Sequence, residues 1–258
     1  MLAQERQDII IEMLKQSGGI IKMTDIVSKF GVSNETARRD LETLQDKNLV
    51  KRIYGGAVLV KPPGKTDYTI PRTEDGSRGL AERTAIGKAA ADLIHDGETI
   101  LLAAGTTVLQ VARHLKRLHY LTVLTNSLAV INELSDTNFD IYVLGGKLDT
   151  NEKNMYGDMA LKTIRSVFVD KTVIGAGGIT FEFGVSDYGI DDFGIREAMM
   201  KHANQTILVA QSEKFGTNAF SIGYPLDQVS TIVSDTNLSQ EYKTGIREMG
   251  IELILAEP

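Results

Sequence analysis

Short apolar segments alternate with amphipathic segments from residue 80 to the C-terminus, and this alternation restricts the possible folds strongly. Seven segments have the length and apolar character of buried strands: residues 99–103, 121–125, 139–144, 168–174, 206–210, 231–234 and 252–255. Helices are predicted between them at residues 81–95, 108–118, 128–134, 158–165, 194–203 and 240–249. This pattern predicts an α/β domain at residues 80–258, with a Rossmann-like parallel sheet covered on both faces.

The first sixty residues have another pattern, that of a small helical domain ending in a hairpin. Helices are predicted over residues 3–16, 24–30 and 33–47, with Thr24 capping the second and Gly31 ending it. Residues 48–60 are predicted to form two short strands around Gly55-Gly56. Three helices followed by a hairpin predict a winged helix-turn-helix at residues 1–60.

The third helix has the features of a DNA recognition helix. Ser33 is a good N-cap, and an inward stripe of Ala37, Leu41 and Leu44 turns Arg38 and Arg39 outward. Arginine binds guanine edges or phosphates. The predicted DNA contacts are Ser33, Asn34, Thr36 and Arg39 to bases, and Arg38, Lys51, Arg52, Tyr54, Gly55 and Gly56 to the backbone or minor groove. A solvated helix with a Glu35–Arg39 ion pair, and a purely structural hairpin, are the alternatives.

Composition distinguishes the two halves and the segment between them. Residues 61–79 are polar and hold three of the five prolines, which predicts a linker stiffened at Pro62-Pro63. Residues 1–60 hold nine Lys/Arg and eight Asp/Glu, whereas residues 61–258 hold nineteen and twenty-six. A nearly neutral DNA-binding domain joined to an acidic ligand-binding domain would have this distribution.

Several kinds of site and location are excluded by composition. The chain has no cysteine, and its four histidines lack the spacing of a metal-binding pair, so neither a metal nor a cofactor is expected. It contains no apolar run of about 18 residues, the length that predicts a membrane-spanning helix. The N-terminal residues are too polar for a signal peptide, which favours a cytoplasmic protein.

Five polar or glycine-rich loops follow the predicted strands, at the edge where ligands bind in α/β sheets. Glycine lets backbone N–H groups approach phosphate, a helix N-terminus attracts anions, and Lys214 adds positive charge. The residues predicted to bind a small anion are Gly105, Thr106, Thr107, Asn126, Ser127, Gly145, Gly146, Gly177 and Lys214. Each loop alone is also typical of a structural connector.

Motifs in both halves resemble those of the DeoR-type bacterial repressors. The N-terminal motifs are Ala37-Arg38-Arg39-Asp40-Leu41, Leu44, Lys51-Arg52 and Tyr54-Gly55-Gly56-Ala57. The C-terminal motifs are Gly105-Thr106-Thr107, Thr125-Asn126-Ser127, Gly145-Gly146, Tyr156-Gly157 and Lys214-Phe215-Gly216, similar to the family's sensor half. The resemblance implies a sensor fold like that of ribose-5-phosphate isomerase and coenzyme A transferases. It also implies a repressor of a carbohydrate operon, released from operator DNA by a phosphorylated sugar or related metabolite.

The chain departs from the usual family pattern at four places. Family members usually have Ile at the position of Ala37 and acidic residues at the positions of Ala103 and Gln211, and often Glu near the position of Asp191. The two lost carboxylates indicate a different inducer or weaker sugar binding. Asp187, Asp191 and Asp192 could supply carboxylates instead, or form a solvated acidic loop.

An aldose–ketose isomerase is the alternative function, and it needs a general base near the anion site. Positions 103 and 211 offer no carboxylate, and Glu213 is the nearest one left. Catalysis would also leave residues 1–60 without a role. The sequence therefore favours a non-enzymatic regulator that binds double-stranded DNA as a dimer or tetramer.

Overall fold

The structure, a computed structural model, describes residues 3–16, 20–47, 49–53, 56–59, 79–150 and 152–258. They belong to two compact units, Met1–Tyr68 and Thr69–Pro258, each considered by itself. Apart from Gly79, the predicted linker at residues 61–79 lies outside the described residues.

The first unit is a winged helix-turn-helix, as predicted. Its described elements are α1 (Ala3–Gln16), β1 (Ile20–Lys22), α2 (Met23–Phe30), α3 (Asn34–Asp46), β2 (Val50–Ile53) and β3 (Gly56–Leu59). Strand β1 is absent from the sequence-based prediction, yet it forms one of the two edge strands of an antiparallel sheet ordered β1-β3-β2. Helix α2 begins one residue before Thr24, so the predicted cap is wrong. The side chain of Asp25 instead accepts a hydrogen bond from the backbone N–H of Lys22 at 3.4 Å.

The core of this unit contains the predicted inward stripe of α3. Ala37 and Leu41 are fully buried, and Leu44 is nearly so. They pack in one cluster with Ile10, Leu14, Ile21, Ile26, Val50 and Ala57. Burying one leucine side chain stabilises a fold by about 1.5–3 kcal/mol. Leu41 and Leu44 therefore fix which face of α3 is turned inward, and so which face is turned outward.

The second unit alternates strands and helices. Its helices are α4 (Leu80–Ala91), α5 (Thr106–Leu115), α6 (Leu128–Leu134), α7 (Asp158–Ile164), α8 (Ile190–Lys201) and α9 (Gln240–Glu248). Its strands are β4 (Thr99–Leu102), β5 (Thr122–Thr125), β6 (Asp140–Val143), β7 (Lys147–Asp149), β8 (Asn154–Tyr156), β9 (Val169–Gly175), β10 (Gly178–Thr180), β11 (Gly184–Asp187), β12 (Ala203–Val209), β13 (Ser221–Tyr224), β14 (Thr231–Asp235) and β15 (Glu252–Ala256).

Seven of these described strands form the predicted parallel sheet, in the order β15-β14-β12-β9-β4-β5-β6. Alternate side chains along each strand enter opposite cores. Leu101 and Ile174 face one, whereas Ile100 and Val173 face the other. Both faces are therefore covered, as expected of a parallel sheet. None of the described helices combines the length and the apolar character that crossing a membrane requires.

Short antiparallel strands are missing from the sequence-based prediction. Strands β7 and β8 form a hairpin, and β10, β11 and β13 form a separate sheet in that order with β11 in the middle. Two helices also begin earlier than predicted, α5 at Thr106 and α8 at Ile190. The unpredicted strands contain glycine, charged or polar residues in place of a continuous apolar stretch, so periodicity does not detect them.

Candidate nucleic-acid interface and effector site

Helix α3 is positioned by a tight turn and a side-chain cap. Gly31 ends α2 with a φ of +61°, a left-handed conformation that favours glycine. Ser33 Oγ then accepts a hydrogen bond from the backbone N–H of Thr36 at 3.2 Å, as the sequence predicts for an N-cap. The two hydroxyls also lie 2.9 Å apart, so Ser33 and Thr36 bond to each other at the start of the helix.

Arg38 and Arg39 both lie on the outer face of α3. Their side chains are 58% and 76% exposed, and each pairs with a glutamate four residues away. Arg38 Nε lies 3.4 Å from Glu42 Oε1, and Arg39 Nε lies 3.4 Å from Glu35 Oε1. Exposed pairs of this kind contribute about 0.3–0.5 kcal/mol, so a phosphate or base can readily replace the glutamate.

Asp40 points the other way and is buried against α1. Arg6 Nε donates to Asp40 Oδ2 at 2.5 Å, Arg6 Nη2 donates to Oδ1 at 3.1 Å, and Gln7 Nε2 also donates to Oδ1, at 3.3 Å. The hydrogen bond to Asp40 raises the pKa of Arg6. This two-point contact fixes the rotation of α3 relative to α1, a role that the sequence motif around Asp40 does not reveal.

The hairpin of β2 and β3 supplies the predicted wing. Ile53 pairs with Gly56 in its register. Tyr54, Gly55 and the side chains of Lys51 and Arg52 lie outside the described residues. Gly56 itself has a structural requirement, because a Cβ there would lie 2.0 Å from the carbonyl oxygen of Ile21. Close approach of β1 thus explains this glycine without any DNA contact.

The five predicted loops all follow strands of the parallel sheet or flank them at the same carboxyl edge. Among them, the loop Gly105-Thr106-Thr107 is accessible. Gly105 precedes α5, Thr106 is exposed, and Thr107 is half-buried. A Cβ on Gly105 would meet nothing closer than Val108 Cγ2 at 3.5 Å, so packing does not require glycine there. The free N–H groups at the start of a ten-residue helix form a suitable anion site.

Other predicted loop residues have structural roles. Ser127 caps α6 by accepting a hydrogen bond from the N–H of Val130, and buried Asn126 donates through Nδ2 to Met155 O at 3.0 Å. Gly146 has a φ of +140°, and a Cβ there would lie 2.4 Å from Tyr156 O. Gly177 is buried beneath Ala219 and Tyr188, whereas a Cβ on Gly145 would meet no atom within 4 Å.

Lys214 lies in a short 3-10 turn after β12, which is separated from β4 in the sheet only by β9. Its side chain is 22% exposed, and its Nζ lies 3.8 Å from Glu213 Oε1. The turn is held in place where Asp235 Oδ2 accepts a hydrogen bond from the N–H of Ser212 at 2.7 Å. The side-chain charge of Lys214 therefore lies on the same sheet edge as the loop Gly105-Thr106-Thr107.

A buried arginine joins these loops and is missed by the sequence analysis. Arg196 of α8 forms an ion pair with Asp187 and donates to Gly175 O at 3.3 Å and Ala104 O at 3.5 Å. Burial raises the pKa of nearby Tyr224 to about 12, and the positive charge of Arg196 offsets part of that effect. The carboxylate of Asp187 is therefore paired with a cation of the chain itself, the guanidinium of Arg196. The side chains of Asp191 and Asp192 lie outside the described residues.

Comparisons with known proteins place both units in one family. Residues 6–62 match the DeoR-like helix-turn-helix domain, and residues 79–236 match the DeoR C-terminal sensor domain. The chain is 34% identical over 258 residues to the HTH-type transcriptional repressor GlcR of Bacillus subtilis, covering 100% of this chain and 98% of that protein. It is 31% identical over 235 residues to the transcriptional repressor AccR of Agrobacterium fabrum, covering 90% of each.

Among solved structures, ribose 5-phosphate isomerase A from Methanocaldococcus jannaschii matches with a TM-score of 0.38 and 15% identity, over 52% of this chain and 53% of that chain. The family matches cover both described units, the winged helix-turn-helix and the α/β domain. The chain belongs to the DeoR family of helix-turn-helix transcriptional regulators.

Proposed function

We propose that the chain represses a carbohydrate-utilisation operon and leaves its operator when a phosphorylated sugar binds the second unit. The observation that carries this proposal is the open N-terminus of α5. No neighbouring atom crowds Gly105, because a Cβ there would meet nothing closer than 3.5 Å. Thr106 is exposed, and Lys214 lies on the same edge of the sheet. Family membership supplies the DNA-binding half of the argument.

On DNA, α3 would enter the major groove with Arg39 directed at base edges. Arg38 would contact phosphate, together with Lys51, Arg52, Tyr54 and Gly55 of the wing. Two such helices would bind half-sites about 34–36 Å apart, so a homodimer or a tetramer is part of the proposal.

The effector would bind through its phosphate at Gly105, Thr106 and Thr107, with Lys214 supplying positive charge. Arg196 would support this site through the backbone, because its guanidinium donates hydrogen bonds to the carbonyl oxygens of Ala104 and Gly175. Of the nine predicted effector residues, Asn126, Ser127, Gly146 and Gly177 would shape the edge without touching the ligand. Gly145 could also line it.

We expect binding without chemical turnover, because an isomerase needs a base beside the sugar. Ala103 and Gln211 occupy the two convenient positions, and Asp187 is held by Arg196. The test combines fluorescence anisotropy on the promoter fragment upstream of the chain's own gene with NMR of glucose 6-phosphate and ribose 5-phosphate. Release of DNA without conversion supports the proposal. Conversion of either sugar, or failure to bind the fragment at low salt, contradicts it.

A further inference from the structure

Gln211 is a buried side chain that joins the Lys214 turn to the start of helix α4. Its Nε2 donates to Gly79 O at 3.2 Å, and its Oε1 accepts a hydrogen bond from Arg83 Nη1 at 3.3 Å. An amide satisfies both partners because it offers a donor and an acceptor at once. The residue is 8% exposed, so both bonds are largely removed from water.

The backbone of Gln211 belongs to the turn that carries Lys214. The N–H of Lys214 donates to Gln211 O at 3.0 Å, and the N–H of Ser212, the next residue, is held by Asp235. The peptide between Gln211 and Ser212 is therefore bonded to Lys214 through its carbonyl oxygen and anchored to Asp235 through its N–H. A displacement of Lys214 toward a bound anion would pull on this peptide, from which the Gln211 side chain extends, against the bond to Asp235.

Gly79 is where the preceding chain, including the DNA-binding unit, enters the first helix of the sensor unit. It has a φ of +71°, and its carbonyl oxygen accepts hydrogen bonds from both Gln211 and the N–H of Arg83. A Cβ at this position would lie 2.3 Å from Gln211 Nε2. The glycine is therefore required both for its conformation and for the approach of the glutamine amide.

We propose that Gln211 transmits effector binding from Lys214 to Gly79, and from there along the chain to the DNA-binding unit. This coupling rests on the proposed function, because it requires an effector at the Lys214 turn. Two arrangements of the Gln211 amide, with and without its bonds to Gly79 and Arg83, would be the states whose populations the effector shifts. The expected coupling is a change in operator affinity of about 5- to 150-fold.

Gly79→Ala in the full-length protein tests the coupling, and Gly97→Ala is its matched control. Gly97 has a similar φ of +88°, but a Cβ there would meet no atom within 4 Å. Both variants therefore strain the backbone, and only the first displaces Gln211. Thermal shift measures binding of glucose 6-phosphate, ribose 5-phosphate and inorganic phosphate, and anisotropy measures operator affinity at saturating concentrations of each probe.

We expect wild type and Gly97→Ala to lose operator affinity when a probe binds, and Gly79→Ala to bind the probe while losing most of this response. A full response in Gly79→Ala overturns the coupling and leaves the proposed function intact. Absence of any response in wild type removes the proposed function and the coupling with it.

A second variant covers the case in which Gly79→Ala fails to fold. Gln211→Glu keeps an acceptor for Arg83 but loses the donor to Gly79 O, at nearly constant volume. Gln228→Glu places the same charge at an exposed position of the same unit. We expect reduced operator release at saturation in Gln211→Glu and normal release in Gln228→Glu. Equal release in the two variants overturns the coupling.

Discussion

Neighbouring residues of α3 have opposite environments, and this contrast defines what each can do. Arg38 and Arg39 are exposed and held only by glutamates of the same helix, whereas Asp40 is buried in a two-point contact with Arg6. Exposed arginines are available to DNA, while the buried aspartate sets the orientation from which they act.

Arg39→Ala should weaken operator-specific binding by about 5- to 150-fold, which corresponds to the 1–3 kcal/mol of one bidentate base contact. Glu35→Ala is the control, because it removes the same ion pair and leaves the guanidinium free. Its operator affinity should stay equal or rise. Equal losses in the two variants, measured by anisotropy, would show that the ion pair rather than a base contact matters.

Asp40→Asn should destabilise the DNA-binding unit by about 1–3 kcal/mol, because it weakens the charge-assisted hydrogen bonds from Arg6. Asp46→Asn, at an exposed position of the same helix, is the control and should have little effect. Denaturant unfolding followed by circular dichroism measures the difference. Similar midpoints for the two variants would contradict a structural role for the Arg6–Asp40 pair.

In the sensor unit, the candidate site lies on the connections that follow the strands, and not on the strands of the central sheet themselves. The central strands are buried on both faces, while α5 presents Thr106 at its exposed N-terminus. A substitution at exposed Thr106 can therefore change ligand binding with little effect on stability.

Thr106→Glu should abolish the response to sugar phosphate and preserve DNA binding, since it adds a negative charge to the proposed anion site. The glutamate also favours the α5 N-terminus, so the unit should stay folded. Thr163→Glu, on the exposed surface of α7, is the control. A normal response of Thr106→Glu in the anisotropy assay would exclude this site.

Asp96 should make the sensor unit sensitive to acid. The N–H groups of Tyr120 and His119 donate to its carboxylate and lower its pKa. Because the folded pKa lies below that of the unfolded chain, about 3.9, the stabilisation is complete above that pH and is lost as the pH falls through the folded value. Asp96→Asn should therefore show a weaker dependence of unfolding on pH below about 4 than the control Asp227→Asn. Parallel curves would contradict this assignment.

The central sheet could be predicted from sequence because each of its seven strands contains a short apolar stretch, although β9 and β12 also include polar residues. Strands β10, β11 and β13 could not, because each contains glycine and lacks a continuous apolar stretch, and β13 pairs with β11 from a distant segment of the chain. The same limit applies to the candidate site. Thr106 and Lys214 follow strands and are found by their position, whereas Arg196 lies on a helix and reaches Ala104 through tertiary packing. Partners ninety-two positions apart leave no local pattern.

At the scale of the whole molecule, the charge is unevenly distributed between the two halves of the chain. The net charge of −6 comes from the sensor half, while the DNA-binding half is nearly neutral. Affinity for DNA must therefore come from a few local cations rather than from the overall field.

Arg38→Ala should reduce the steepness of the salt dependence by about 0.9 in a plot of log affinity against log salt, the amount expected for one phosphate contact. Lys29→Ala removes an exposed cation from α2 and serves as a comparison within the same unit. Anisotropy titrations between low and moderate salt give both slopes. An unchanged slope for Arg38→Ala would remove this residue from the phosphate contacts.

The pairing of β1 with β3 ties a segment between the first two helices to the last strand of the wing. Three helices alone would therefore not be a smaller autonomous version of this module. Shortening the gene before the wing would leave β1 without the strand it pairs with, and would remove Val50 and Ala57 from the core that buries Ile10 and Leu14 of α1. The base of the hairpin therefore has a structural role in this unit that is separate from any DNA contact.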